Sequence, residues 1–203
     1  VLRTVRHAGE FGVNTSEATL DLSKTMERKQ SVIDQLTKGV VGLLDRREVT
    51  IFNGIGSLSV NRKIKIQATD GSKTHITGDN IILASGSKPR TIPGFEIDGD
   101  LILTSEELLS MTTIPKSVAI IGGGAIGVEF ASALNDFGSE VTILEALPSI
   151  LSGCDADLSK TVSRSFKKRG IEVLVNCKVS GHTKKTAGLT LHLDDRDIPV
   201  EKV

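Results

Sequence analysis

The chain has 203 residues, with 25 basic and 25 acidic side chains, and so carries no net charge at neutral pH. That balance gives no broad field that would draw it to nucleic acid or to an anionic membrane, and no stretch has the length and apolar purity of a spanning helix or a secretory signal. Two cysteines, Cys154 and Cys177, lack metal or C-x-x-C spacing, and the four histidines, His7, His75, His182 and His192, are scattered. These features fit inert thiols in a reducing cytoplasm and predict no metal site.

Taken in order, Val1 to His7 reads as a short helical remnant and Phe11 to Ala18 as loop. A long helix is predicted from about Asp21 to Arg47. Met26, Ile33, Leu36, Val40 and Leu43/Leu44 lie on one face at helical spacing, a stripe suited to packing on a sheet. Short segments follow: a strand at Val49–Phe52, a turn at Asn53–Gly56, then a meander of Ser57–Val60, Lys63–Thr69 and Lys73–Ile76, with Asp70-Gly71 as hairpin turn. Asn80–Ala84 reads as a buried strand ending in Ser85, Gly86 and Ser87. Pro89, Pro93 and Gly94 then impose an irregular segment, and Thr104 is the expected N-cap of a short helix.

Beyond Pro115 the pattern becomes specific. Val118–Ile121 is an apolar run of strand length. Gly122, Gly124 and Gly127 follow as G-x-G-x-x-G, Phe130, Leu134 and Phe137 mark a helix, Gly138 stops it, and Val141–Leu144 is a second strand ending on Glu145. Strand, glycine turn, helix, strand and acid, with the acid roughly 20 residues after the turn, form the order of a dinucleotide-binding unit. Gly122 permits the tight turn, Gly124 admits a pyrophosphate close to the backbone, and Gly127 lets helix meet strand. The free amides at the helix start favour the diphosphate. Glu145 can accept from ribose hydroxyls and would repel a 2′-phosphate, and no Lys or Arg follows before Lys160, so NAD is favoured over NADP. A helix capped at Asp155 or Asp157 runs to Arg169, Gly170 ends it, and Ile171–Val175 is a third strand, completing the first half of a doubly wound sheet. Lys178–His182 and Leu189–Leu193 read as an antiparallel flap, and Ile198–Val203 as the beginning of another strand. The chain starts at Val1 rather than Met and stops inside that last pattern, so both ends look cut and an internal piece of a longer protein is expected.

Four landmarks carry a family resemblance: Gln30–Val40 running into Val49–Gly56, Ile81–Pro89 with Ser85-Gly86-Ser87, Ile121–Glu129 with Glu145 downstream, and Asn176–Gly181. With these in order, almost the whole chain resembles the flavin-dependent pyridine nucleotide-disulfide oxidoreductases, most of all their dihydrolipoamide-oxidising branch. Ser85 stands where the family motif has Thr. The resemblance implies an α/β architecture: a Rossmann-like, doubly wound NAD-binding domain over residues 112–203, its last strand truncated. Residues 1–111 would be the distal part of a related FAD-binding domain with antiparallel β-meanders. It implies that Gly122, Gly123, Gly124, Ala125, Ile126, Gly127, Val128 and Glu129 wrap the NAD pyrophosphate and approach the nicotinamide, that Glu145 holds the ribose, and that Val179 lines the adenine pocket. Gly56, Ser85, Gly86 and Ser87 would touch FAD. Read without the family, Gly56 serves equally well as a hairpin glycine, Ser85–Ser87 as a strand-end turn, and Val179 as core packing.

The same resemblance places the family's first flavin-binding glycine motif and its C-x-x-x-x-C disulfide before Val1, and its His–Glu proton-transfer pair after Val203. No catalytic residue and no retained FAD are therefore expected here. The intact protein would be a homodimer serving lipoyl domains of 2-oxo-acid dehydrogenase or glycine-cleavage complexes, in a bacterial cytoplasm or a mitochondrial matrix. Mercuric reductase and pyridine-nucleotide transhydrogenase types remain open. Glutathione reductase is disfavoured because it uses NADPH. A catalytically silent nucleotide-binding module is the alternative of a different class.

Overall fold

The computed structural model describes residues 1–203. The chain forms two compact units, one of Val1–Met26 with Pro89–Val203 and the other of Glu27–Lys88. The domain boundary expected near Met111 falls inside the larger unit. No helix is long and apolar enough to cross a membrane.

The larger unit is built on a parallel sheet of β4 (Ser117–Ile121), β5 (Glu140–Leu144) and β6 (Glu172–Leu174), in that order. Val118 pairs with Val141 and Ile143 with Val173. These β-branched runs form strands because both faces are covered, the usual condition of a parallel sheet. Helix α4 (Ala125–Phe137) makes the first crossover and stops at Gly138, whose φ of 108° suits glycine. Helix α5 (Ala156–Lys168) makes the second, capped by the Asp155 carboxylate accepting from the Asp157 amide.

One face of the sheet, with Val118, Val141 and Ile143, packs on Val128, Ala131 and Leu134 of α4 and Phe166 of α5. The other face, with Ala119 and Leu144, packs on Leu189, Leu191 and Val200, beside Phe95 and Ile102. That second cover is an antiparallel sheet of β7 (Val179–Lys185), β8 (Gly188–Leu193) and β9 (Asp197–Val200). Ile143 and Leu191 are fully enclosed, and each such side chain contributes about 1.5–3 kcal/mol by leaving water. After β9 the chain runs beside β4: Lys202 bridges Val118 in parallel, and the Ala119 amide donates to the Lys202 carbonyl at 3.0 Å. The expected extended start at Ile198–Val203 thus divides between the flap strand β9 and this parallel neighbour of β4.

Around this core, α1 (Leu2–Arg6) is the predicted N-terminal helix, and a 3-10 turn over Ala8–Phe11 replaces the start of the expected loop. Helix α3 (Ser105–Leu108) opens with Thr104 in a capping box with Glu107. Arg169, at the end of α5, reaches α4: its guanidinium donates to Ser132 Oγ at 2.8 Å, to the Ser132 carbonyl at 2.7 Å and to Asp136 Oδ1 at 2.9 Å.

The smaller unit contains most of α2 (Leu22–Arg46), as predicted, and an antiparallel meander of β1 (Ile55–Leu58), β2 (Lys63–Gln67) and β3 (Lys73–Thr77). Asp70 accepts from the Ser72 amide and Gly71 adopts φ 84°, making the expected hairpin turn. Four expectations fail here. Val49–Phe52 is not a strand and stays exposed, because the ladder partner of β2 is Ile55–Leu58. For the same reason Gly56 lies within β1 opposite Ile66, not in a turn. Asn80–Ala84 pairs with no strand and is not buried, with Ile82 at 91% and Leu83 at 74% exposure. The α2 stripe does not pack on a sheet, and Ile33, Leu36, Val40 and Leu43 are all exposed. Periodicity identifies the face of a helix that seeks cover, and an apolar run identifies a segment that could pair. Neither supplies the partner.

Candidate dinucleotide site

The site lies where the carboxyl ends of β4 and β5 meet the start of α4. β4 has β5 on one side and the Lys202 segment on the other. Chain direction away from β4 therefore reverses there, which is the position at which open α/β sheets bind ligands. Three glycines act there for three different reasons. Gly122 turns off β4 at φ 113°, a conformation that side chains resist. At Gly124, the N-cap of α4, an added Cβ would meet nothing within 4 Å, so the missing side chain leaves open space. At Gly127 a Cβ would run into the Gly122 carbonyl oxygen and lie 3.1 Å from Ile120 Cγ2. Helix α4 can therefore sit against β4 only with glycine at that position.

Gly124, Ala125 and Ile126 form an exposed lip, with Ile126 at 62% exposure, and no side chain caps the helix. Its first amides and the positive end of its dipole are left for an anion. Val128 is buried in the core, and Glu129 is exposed one turn into the helix.

Glu145 follows β5 and is half-buried. Its Oε2 accepts from the Gly123 amide at 2.7 Å and its Oε1 from the Leu147 amide at 2.8 Å. Both bonds fix the carboxylate beside the glycine turn, and each oxygen keeps a further lone pair for a ligand hydroxyl. The backbone around it is equally determined: its amide donates to the Leu174 carbonyl, and its carbonyl accepts from Cys177. The turn and the acid, separated in sequence, are thus in direct contact. Gly123 is buried, and the loop after Glu145 closes over it through Ile150 and Leu151. Sequence reading assigned no role to these two residues. The only available signal was an apolar pair flanked by Ser149 and Ser152.

The remaining predicted residues lie elsewhere. Val179 begins β7 and packs against the Leu189–Leu191 cluster. Gly56 lies in β1, while Ser85, Gly86 and Ser87 are exposed irregular chain, and no hydrogen bond joins the two places. These four residues do not form a built flavin cradle. Both cysteines are free, and burial pushes the Cys177 thiol up, away from the thiolate.

Parallel sheet, crossover helix, glycine turn and strand-end acid together define an α/β protein of the Rossmann type. The family model of pyridine nucleotide-disulphide oxidoreductases matches residues 4–203, and the chain belongs to that family. It is 37% identical, over its whole length, to a dihydrolipoyl dehydrogenase of Bacillus subtilis, of which it spans 43%. It is 39% identical, over 85% of its length, to a dihydrolipoyl dehydrogenase of Chlorobaculum parvum, of which it spans 36%. Among solved structures it resembles LpdA from Mycobacterium tuberculosis, with a TM-score of 0.87 and 25% identity over 99% of this chain and 44% of that one. The chain thus spans less than half the length of each of these three proteins.

Proposed function

We infer that this chain is the nucleotide-binding middle section of a dihydrolipoyl dehydrogenase. Residues 112–203 would form the NAD-binding domain and residues 1–111 the distal part of an FAD-binding domain. The activity assigned to the whole protein is oxidation of the dithiol of protein-bound dihydrolipoamide to a disulfide, with NAD as final acceptor. Its partners would be lipoyl domains of 2-oxo-acid dehydrogenase or glycine-cleavage complexes and a second copy of itself, and its setting the cytoplasm. Within that reaction these residues bind and orient NAD: the α4 amides meet the pyrophosphate across the open space at Gly124, and Glu145 receives the adenosine ribose. Bound NAD would supply the hydride acceptor. Flavin contacts at Gly56 and Ser85–Ser87 belong to the same reading, but the residues present do not close around a flavin.

The single observation that carries this reading is the Glu145 carboxylate, bonded to the Gly123 amide beside an uncapped helix start. A 2′-phosphate brought against it would be repelled by about 4 kcal/mol per unit charge at ~4 Å and an effective dielectric of 20. Loss of hydroxyl bonds to a charged acceptor adds roughly 1.5–3 kcal/mol. A preference for NAD over NADP of about a hundredfold or more follows. Calorimetric titration with both nucleotides tests it. Glu145→Ala is expected to weaken NAD binding by about one to two decades and to remove most of the discrimination. Equal affinity of the wild type for NAD and NADP would remove Glu145 as the ribose ligand.

A further inference from the structure

Resting on the dinucleotide reading, we propose that Ile150 is a positioning residue for the glycine turn, and that its packing, rather than backbone conformation, is the reason residue 123 is glycine. Gly123 occupies a variable position of G-x-G-x-x-G, and its φ lies outside the left-handed region, so nothing in the turn itself demands glycine. The demand comes from the loop after Glu145. A Cβ on Gly123 would lie 2.5 Å from Ile150 Cγ2, 3.0 Å from its Cβ and 3.2 Å from its Cα. Ile150 cannot yield. It is fully enclosed, lies in the core with Val128 and Phe166, and its carbonyl accepts from the buried Ser159 hydroxyl of α5 at 2.6 Å.

The next residue completes the hold. Leu151 sits at φ 52°, unusual for a leucine, and its amide donates to the Gly123 carbonyl at 2.7 Å. One peptide neighbourhood is therefore gripped on three sides: the Gly123 amide by Glu145, its carbonyl by Leu151, and its Cα face by Ile150. A residue with no expected ligand contact thereby fixes both the direction of the turn that meets the pyrophosphate and the amide that orients the ribose acid.

The test is a double-mutant cycle read as affinity for ADP-ribose, which carries the pyrophosphate and adenosine without the nicotinamide, in the intact protein. Gly123→Ala is expected to weaken binding about tenfold or more, because the added methyl displaces the turn. Ile150→Ala alone should weaken it about threefold by loosening the turn. The combination should bind at least about threefold more tightly than Gly123→Ala, because removing Cγ2 relieves the closest contact. A purely structural role for Ile150 predicts the opposite sign, with the double variant worse than either single one. Near-wild-type binding by Gly123→Ala, or no recovery in the double variant, overturns the proposal. If Gly123→Ala fails to fold, Ile150→Ala decides: weakened affinity with faster exchange of the Leu151 amide supports the hold, and unchanged affinity overturns it. A wild-type protein that does not bind ADP-ribose overturns the dinucleotide reading itself, and this proposal with it.

Discussion

Arg169 shows how much one side chain can join. Its side chain is only 12% exposed, and its fork binds the Ser132 hydroxyl, the Ser132 carbonyl and the Asp136 carboxylate, while its guanidinium carbon lies 5.7 Å from the Phe166 ring centroid. The planar fork is what allows several acceptors to be met at once. Arg169→Ala leaves the Ser132 carbonyl and Asp136 without this donor and should lower stability by about 1.5–3 kcal/mol in urea titration. Arg169→Lys keeps the charge but not the fork, and should recover less than half of the loss. Glu145 has the same character nearer the site: a carboxylate held by two backbone amides before any ligand arrives. The part proposed for it in choosing between NAD and NADP therefore depends on an orientation the protein already maintains.

At the scale of elements, Asp98 ties the segment before α3 to the flap. Burial raises its pKa, but the Lys184 ammonium at 2.7 Å and the amides of Ile102, Asp100 and Leu101 outweigh that and hold it well below the ordinary 3.8. A depressed carboxylate stabilises the fold above its unfolded pKa, and the contribution is lost as pH falls through the folded one. Asp98→Asn should therefore lower the urea midpoint at pH 7 and flatten the decline of stability below about pH 4. Equal acid slopes for variant and wild type would show that Asp98 is not a source of that decline. The elements around it also show what sequence could and could not tell. β4, α4, β5 and α5 were readable because apolar period, glycine stops and the Asp155 cap all agreed locally. That the glycine turn and Glu145 would share one site followed from the motif. The hold by Ile150 and Leu151 did not, because it depends on where a loop returns in space. Val49–Phe52 and Asn80–Ala84 misled for a related reason: a strand is a property of two segments, and only one can be read at a time.

At the scale of the whole molecule, the two units differ sharply in burial. The larger has two extended clusters, whereas Ile66 is the only buried apolar side chain of Glu27–Lys88. Local opening free energy follows buried apolar contact. In hydrogen exchange, the amides of β2 and β3 should therefore lose protection at lower denaturant than those of β4 and β5. A single, simultaneous loss would show that the two units unfold together. The segment at Lys202 has a consequence in the time order of synthesis. Glu201 donates its amide to Ser117 across 84 residues, and Lys202 completes the far side of β4. A chain emerging from the ribosome has β4, the glycine turn and Glu145 in hand long before that neighbour exists. Strand β4 spends this interval with one edge unpaired, the condition in which a sheet is most open to wrong partners. Closing so long a loop is also slow. For this fold the glycine turn is made early, and the edge beside it is secured later.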